Sequence, residues 1–219
     1  MTPSSSSEAG LVSAHPTRST EPVPAARLSS PSFGERLTLR RRARMLRRLR
    51  EELHPGPGVR VLDLGGGTGV TSERFAEGAE EVVVLEPNPK KVARGRARRP
   101  TVAFVEGVAE RLPFEEGRFD RVVSLLSFHH FQDASRALSE GFRVLAPGGS
   151  LTVCDVDPAS WPGRMMRALH APTFHGRLEF SHADDVGRRA SAAGFSSVRR
   201  ERLGSAYLVT ATRPSTPVR

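Results

Sequence analysis

The chain has 219 residues, with 33 Lys and Arg against 24 Asp and Glu, and 37% of its residues are hydrophobic. The length suits a single domain, and the low hydrophobic share predicts that part of the chain lies outside a packed core. The single cysteine, Cys154, excludes an internal disulfide and a zinc site built from several thiolates. No apolar run is long enough to span a membrane, and no secretory signal pattern opens the chain, so we expect a cytoplasmic protein.

The two ends of the chain differ in composition from the middle. Residues 1–31 are rich in Ser, Pro, Thr and Ala and contain almost no large apolar side chains. Such a segment buries too little surface to offset the entropy lost on ordering, so we predict a disordered tail. A second short tail is predicted at residues 214–219. The residues between them, 32–213, are predicted to form one domain.

This domain is predicted to begin with a basic helix at residues 32–53. Ser32 and Glu35 have the spacing of a capping box, and Pro55 lies just beyond the predicted end. The apolar stripe of the helix consists of Leu39, Ala43, Leu46, Leu49 and Leu53. Its other faces carry Arg36, Arg40, Arg41, Arg42, Arg44, Arg47, Arg48 and Arg50. We interpret the helix as docked on the domain with a solvated arginine face. Weak contact of that face with an anionic membrane, or with RNA, is the alternative.

Strands and helices alternate from residue 59 onward. Strands are predicted at 59–64, 82–85, 102–105, 119–126, 150–155, 197–203 and 206–213, with helices at 68–78, after Asn88, at 133–145 and from 184 to 194. The pattern predicts an α/β fold that is Rossmann-like and doubly wound, with helices on both faces of a seven-stranded sheet. The sheet is expected to be mostly parallel. An antiparallel C-terminal strand follows from the hairpin signal at Gly204-Ser205.

A glycine-rich segment follows the first predicted strand. Asp63 is followed by glycines at alternate positions, namely Gly65, Gly67 and Gly69. Glycine lets the backbone turn tightly and lets a ligand approach without meeting a Cβ. Val70 stands where the nicotinamide-dinucleotide fingerprint needs its last glycine, so a diphosphate is not required. Glu86 ends the second strand, where a carboxylate can accept both hydroxyls of a ribose. Together these residues predict a pocket for an adenosine-type ligand.

Further motifs follow in order along the chain. They are residues 107–114 (GVAERLPF), 119–122 (FDRV), 129–131 (HHF) and 143–149 (RVLAPGG). With the glycine loop and Glu86, the set resembles the class I S-adenosylmethionine-dependent methyltransferases. It is most similar to the subgroup that includes the ubiquinone and menaquinone biosynthesis enzymes and many small-molecule methyltransferases, over roughly residues 35–213.

The resemblance implies S-adenosylmethionine as cofactor and a role for several residues. It places the glycine loop against the methionine part, with Asp63 holding the amino group, and Glu86 on the ribose hydroxyls. It places Val108 and Ala109 at the edge of the adenine and Leu125 beside the methionine. The family usually has Asp at the position of Val108, and that Asp bonds the adenine amino group, which valine cannot do.

Methyl transfer requires in-line alignment of the acceptor, exclusion of water and, for a phenol or activated carbon, a base. His129 and His130 follow the fourth predicted strand, and we expect one of them to border the methyl group, with His130 preferred as the base. A structural role of the pair is the alternative. The segment 161–180 is interpreted as a substrate lid, with a plain amphipathic cover helix as the alternative.

The expected function is therefore methyl transfer to a small apolar or aromatic molecule. A non-catalytic cofactor-binding module, or a relative associated with RNA or anionic lipid, is the alternative. We expect no specific nucleic-acid binding, because the Asn/Asp-Pro-Pro-aromatic motif of nucleic-acid amino-methyltransferases is replaced by residues 124–130 (SLLSFHH), and Cys154 lies within a strand. No metal site is expected, since no third ligand accompanies the two histidines at suitable spacing.

Overall fold

The computed structural model of the chain describes residues 28–170 and 179–215. Most of the predicted N-terminal tail, part of the predicted lid and the last four residues lie outside the described residues. The strands are β1 (Arg60–Leu64), β2 (Glu81–Glu86), β3 (Ala103–Glu106), β4 (Phe119–Leu125), β5 (Leu145–Val156), β6 (Ser196–Leu203) and β7 (Ala206–Thr212). The α-helices are α1 (Phe33–Leu53), α2 (Ser72–Phe75), α3 (Pro89–Arg98), α4 (Ala134–Val144), α5 (Trp161–His170) and α6 (Ala183–Ala192).

The seven strands form one sheet in the order β3-β2-β1-β4-β5-β7-β6. Strands β1 to β5 are parallel, whereas β7 runs antiparallel to both β5 and β6. The predicted α/β sheet with an antiparallel C-terminal strand is confirmed. Strand β1 pairs with β2 on one side and with β4 on the other, so the chain order reverses there. In an open α/β sheet this switch point opens a crevice at the carboxyl ends of the strands.

Apolar side chains cover both faces of the sheet. One cluster joins the inner sides of α1, α2 and α3 to the sheet through residues such as Leu49, Phe75 and Val92. The other joins α4 and α6 to the opposite face through residues such as Leu138 and Val186. The inner strands β1, β2, β4, β5 and β7 are largely buried on both faces, which explains their apolar runs, whereas the edge strand β6 is mostly exposed and polar. No helix within the described ranges is long and apolar enough to cross a membrane.

Helix α1 begins and ends where its sequence predicts. The Ser32 hydroxyl accepts from the Glu35 amide N–H at 3.4 Å, and the Glu35 carboxylate accepts from the Ser32 amide N–H at 2.7 Å, which completes the capping box. Leu46, Leu49 and Leu53 are buried against the sheet, whereas Ala43 of the predicted stripe is exposed.

A buried ion cluster ties α1 to the glycine loop. Arg99, which is fully buried just after α3, donates to Glu35 at 2.6 Å and to the Thr68 carbonyl at 2.9 Å, and its Nε lies 3.6 Å from the Glu73 carboxylate. Burial alone would raise the pKa of Glu35, but hydrogen bonds from Arg99 and Ser32 outweigh it and lower that pKa to about 2. Ser29, within the predicted tail, also hydrogen-bonds to Glu73, with its amide N–H at 2.8 Å.

Helix α2 is much shorter than the helix predicted at 68–78. It spans only Ser72–Phe75. Gly67 and Gly69 have φ angles of +64° and +75°, which a right-handed helix cannot contain. The glycines therefore delay the helix and leave an extended loop over the end of β1.

Candidate active site

The glycine loop leaves open space at one position and is tightly packed at its neighbours. A Cβ on Gly65 would lie 2.7 Å from the Ser127 Cβ, and one on Gly66 would clash with the Asp63 carboxylate. A Cβ on Gly67 would meet no atom within 4 Å. The loop is thus held by its packed glycines and offers open backbone at Gly67.

Asp63, the next-to-last residue of β1, is fully buried, and only one of its two carboxylate oxygens has a hydrogen-bond partner among the described residues. Its Oδ2 accepts from the Ser72 hydroxyl at 2.6 Å, but its Oδ1 has no hydrogen-bond partner among the described residues. Burial raises the pKa of Asp63 to about 7; the Ser72 hydrogen bond and the charge of Arg42 oppose the shift, and the charge of Glu86 adds to it. A buried carboxylate oxygen without a donor is costly, and a ligand that brings a cationic N–H would satisfy it.

Glu86 ends β2 and is buried beside the same loop. Its Oε2 accepts from the Gly67 amide N–H at 3.1 Å, and its Oε1 accepts from the Asn88 amide N–H at 3.1 Å. The Lys91 ammonium lies 3.4 Å from Oε1. These contacts fix the carboxylate, and Oε2 keeps a lone pair that a ligand hydroxyl can use.

The segment after β3 forms the next wall of the crevice. Val108 is exposed and Ala109 is buried. The Glu110 carboxylate accepts from the Gln132 amide N–H at 2.6 Å, which ties this segment to the loop after β4. Glu140 accepts from the Leu112 amide N–H at 2.8 Å, so α4 also holds the segment. Hydrogen bonds therefore hold the motif residues 107–114 to the loop after β4 and to α4, and the Val108 side chain is exposed.

The end of β4 is fastened to the start of the glycine loop. Leu125 is buried and pairs in register with Cys154 of β5. The Ser127 hydroxyl donates to the Leu64 carbonyl at 2.6 Å and lies 2.8 Å from the Ser124 hydroxyl. These hydrogen bonds thus join the end of β4 to the end of β1 at the switch point of the sheet.

A short 3-10 helix, Phe128–His130, carries both predicted histidines. His129 is buried, and its Nδ1 lies 2.9 Å and 3.0 Å from the two carboxylate oxygens of Asp155, near the end of β5. Asp155 also accepts from the His129 amide N–H at 3.0 Å. The His129 ring stacks on Phe180, with centroids 5.1 Å apart, whereas His130 is exposed. A histidine whose Nδ1–H is bound by a carboxylate has Nε2 left as a proton acceptor.

Two further residues belong to the carboxyl edge. Arg42 on α1 is half-buried, and burial lowers its pKa while the charge of Asp63 opposes that shift. It makes no ion pair or side-chain hydrogen bond with any other described residue. Cys154 is buried, and burial raises the pKa of its thiol to about 12, which makes it unreactive.

The structure brings Asp63, the glycine loop and Glu86 together at the carboxyl edge of the sheet, with Leu125 at the end of β4 and with Val108, Ala109, His129 and His130 on the segments that follow β3 and β4. Ser72, Asp155 and Arg42 were not predicted as site residues. For Asp155, the sequence did offer a signal, namely a single acidic residue at the end of an otherwise apolar predicted strand. Ser72 and Arg42 offered no signal, since each reaches Asp63 only through the tertiary fold. No cluster of three or more metal-ligating side chains occurs within residues 28–170 and 179–215.

Comparison with known proteins agrees with this geometry. A family model described as a methyltransferase domain matches residues 62–153. A demethylmenaquinone methyltransferase of Beutenbergia cavernae is 40% identical over 119 residues, which cover 54% of this chain and 50% of that protein. A 2-methyl-6-phytyl-1,4-hydroquinone methyltransferase of Arabidopsis thaliana is 31% identical over 153 residues, covering 68% of this chain and 43% of that protein. The chain spans about half the length of these curated relatives.

One relative and one solved structure match over more of their length. An S-adenosylmethionine-dependent methyltransferase of Thermotoga maritima superimposes with a TM-score of 0.70 at 22% identity, covering 83% of this chain and 94% of that one, which supports the fold. A demethylmenaquinone methyltransferase of Mycolicibacterium gilvum is 33% identical over 190 residues, covering 77% of this chain and 82% of that protein. The chain belongs to the class I S-adenosylmethionine-dependent methyltransferases, in the group that includes the demethylmenaquinone methyltransferases.

Proposed function

We propose that this protein transfers the methyl group of S-adenosylmethionine to a ring carbon of a hydroquinone that carries a long apolar chain. The observation that carries the proposal is the buried His129–Asp155 pair at the carboxyl edge of the sheet, beside the crevice. A hydroquinone reacts at carbon once a phenolic proton is removed, and such a pair can remove it. The printed names of the relatives, a demethylmenaquinone and a phytyl hydroquinone methyltransferase, point to the same class of acceptor.

The residues of the crevice fit the cofactor. The unpartnered Asp63 Oδ1 suits the ammonium of its methionine part, and the open backbone at Gly67 gives the chain of that part a path. The Glu86 carboxylate suits the ribose hydroxyls. Val108 and Ala109 would edge the adenine, and Leu125 would line the methionine side. Bound here, S-adenosylmethionine supplies an activated methyl group on a sulfonium.

Arg42 completes the polar frame of this site. Its charge is close enough to Asp63 to affect the pKa of that carboxyl, and no ion pair joins it to another residue within 28–170 and 179–215. A guanidinium in this position suits the carboxylate of the methionine part. Asp63 and Arg42 would then receive the two opposite charges of one amino-acid end.

His129 acts as the base in this proposal. Asp155 fixes the ring through Nδ1 and stabilises the imidazolium that forms when Nε2 takes the phenolic proton. The sequence alone favoured His130; the Asp155 contact shifts our preference to His129, with His130 as the second candidate. The ring carbon gains the methyl group and loses its hydrogen, and the phenolic oxygen regains a proton. The net change is one methyl gained and one proton released.

The proposal places the reaction in the cytoplasm. Catalysis by the protein, rather than cofactor binding alone, is what the His129–Asp155 pair supports.

The test is an assay with two acceptors under reducing conditions. The full chain is incubated with methyl-labelled S-adenosylmethionine and with either demethylmenaquinol or 2-methyl-6-phytyl-1,4-hydroquinone in detergent micelles. We expect label in the quinone fraction and a mass increase of one methylene group on the ring. The same quinones kept oxidised are the control, because they have no phenolic proton and should accept no methyl group.

Two results would overturn the proposal. Label bound to oxygen, which mild acid or mass fragmentation would reveal as a methyl ether, would exclude carbon as the acceptor. Cofactor binding without turnover on either hydroquinone would favour the non-catalytic module.

A further inference from the structure

Exposed large apolar side chains are confined to one edge of the described structure. They are Phe33, Leu37, Val108, Trp161 and Met165, and Phe33 and Trp161 are 78% and 73% exposed. Val108 follows the end of β3, and α5, which carries Trp161 and Met165, follows the end of β5. Both segments therefore leave the sheet at its carboxyl edge, where the crevice opens.

The first turns of α1 lie at the same edge. Glu35 is bonded to Arg99, which in turn donates to Thr68 of the glycine loop. At the other end of the helix, the Leu53 carbonyl accepts from Arg121, near the start of β4. Helix α1 thus runs from the side of the glycine loop towards the amino edge. Phe33 and Leu37, four residues apart, lie on one exposed face of its first turns.

Arginines accompany the apolar side chains on both helices. On α1, the positions that continue the Phe33–Leu37 face are Arg40, Arg41 and Arg44, all exposed. No ion pair or side-chain hydrogen bond joins these three arginines to another described residue. On α5, Arg164 and Arg167 are exposed around Met165. Apolar side chains flanked by arginines are the pattern of a helix that lies in a lipid interface, where the arginines reach the phosphates.

We propose that this carboxyl edge docks on the surface of an anionic lipid bilayer, with Phe33, Leu37, Trp161 and Met165 entering the interface. Charge complementarity selects the occupant: the chain carries a net charge of +9, and the unpaired arginines lie on the α1 face that bears the apolar pair. The crevice would then open towards the membrane. A substrate with a long apolar chain could reach it without passing through water. The docking does not depend on the reaction, so it can be tested without an acceptor.

Trp161 is the only tryptophan of the chain, and its ring is exposed. Its fluorescence therefore reports on contact with lipid in the full-length protein without an added label. The probe is a vesicle of equal parts phosphatidylglycerol and phosphatidylcholine, compared with phosphatidylcholine alone. On anionic vesicles we expect a blue shift of the Trp161 emission and quenching by lipids brominated in the acyl chain. An unchanged spectrum on anionic vesicles would overturn the proposal.

Paired variants separate docking from non-specific attraction. The triple change Arg40→Gln, Arg41→Gln and Arg44→Gln should weaken vesicle binding at least tenfold. Its control is Arg50→Gln, Arg94→Gln and Arg188→Gln, which removes the same charge elsewhere and should weaken binding less than threefold. Equal losses in the two sets would contradict a defined surface.

A second pair of measurements tests the apolar contact. The change Phe33→Ser with Leu37→Ser should abolish the quenching by brominated lipid while the fold, followed by circular dichroism, is kept. Binding of a short RNA in preference to the anionic vesicles would also overturn the proposal, since RNA would then be the partner of the arginine face.

Discussion

Asp155 near the end of β5 holds His129 through both carboxylate oxygens, with the histidine Nδ1 at 2.9 Å and 3.0 Å from them, and also binds the His129 backbone N–H. Three contacts from one buried carboxylate fix the orientation of the ring and its tautomer. The crevice therefore has an oriented proton acceptor beside the cofactor residues, which the methylation of a phenolic ring requires.

Replacing either member of this pair should slow turnover without weakening cofactor binding. We expect His129→Asn to lower kcat about a hundredfold or more, and Asp155→Asn about tenfold or more, because the first removes the base and the second its orientation. His130→Ala is the comparison and should lower kcat less than fivefold. The measurement is kcat on a hydroquinone together with the dissociation constant of S-adenosylhomocysteine. A loss of melting temperature with unchanged kcat per folded molecule would assign the pair a structural role.

The pKa of Asp63 predicts that cofactor binding depends on pH. Burial raises that pKa to about 7, so Asp63 is protonated below pH 7 in the free protein, whereas an ammonium needs the ionised form. Affinity should rise about tenfold per pH unit from pH 5.5 to about 7 and then level off. Titration calorimetry in buffers of different ionisation enthalpy should detect release of a proton near pH 6. The change Asp63→Asn should weaken binding and remove the pH dependence; a parent curve that is flat would exclude Asp63 as the titrating group.

Ionisation of Asp63 should lower the stability of the folded protein, although it strengthens cofactor binding. The pKa of Asp63 in the folded state is above the ordinary value of 3.8, so the folded protein binds more protons than the unfolded chain between about pH 4 and 7. The contribution of Asp63 to stability is therefore lost as pH rises through this window. Denaturant unfolding at pH 5 and pH 8 should show that Asp63→Asn stabilises the protein at pH 8 relative to the parent. An equal effect at both pH values would contradict this linkage.

Sequence patterns were enough for the alternation of strands and helices in a mostly parallel sheet and for the capping box of α1, because apolar runs and capping residues act locally. They were wrong for the helix at 68–78. There the positive φ angles of Gly67 and Gly69 override the helical pattern. The Asp63–Ser72 contact closes across the glycine loop between residues nine apart, and the His129–Asp155 contact joins residues 26 apart, so neither follows from a local sequence pattern. The role of Val108 at the adenine edge remains a prediction.

That prediction can be tested by restoring the usual acid. Because Val108 is exposed, Val108→Asp should fold normally and gain a hydrogen bond to the adenine amino group. One such bond corresponds to roughly a fivefold to tenfold tighter dissociation constant. Val108→Leu, which has the branched shape of aspartate but no acceptor, is the matched control. Unchanged or weaker binding of S-adenosylhomocysteine by Val108→Asp would show that another residue contacts the adenine.

The ion cluster beside the glycine loop predicts unequal effects of two neighbouring arginines. Arg99→Leu should destabilise the protein by about 3 kcal/mol, because it leaves Glu73 and Glu35 without their buried partner. Arg98→Leu should cost less than about 1 kcal/mol, since Arg98 bonds to the same Glu35 from a partly exposed position. Denaturant unfolding of both variants gives the comparison. Similar losses of unfolding free energy in the two variants would show that the burial of Arg99 adds nothing to its contribution to stability.

Titration calorimetry is the decisive measurement of whether the crevice at the end of β1 and β2 binds S-adenosylmethionine. The parent should bind S-adenosylmethionine and S-adenosylhomocysteine in the micromolar range. Glu86→Ala should remove the ribose contacts, and Gly67→Val should fill the open path, so each should reduce affinity beyond detection while circular dichroism stays unchanged. If both folded variants bind the cofactor like the parent, the cofactor binds elsewhere and not in this crevice.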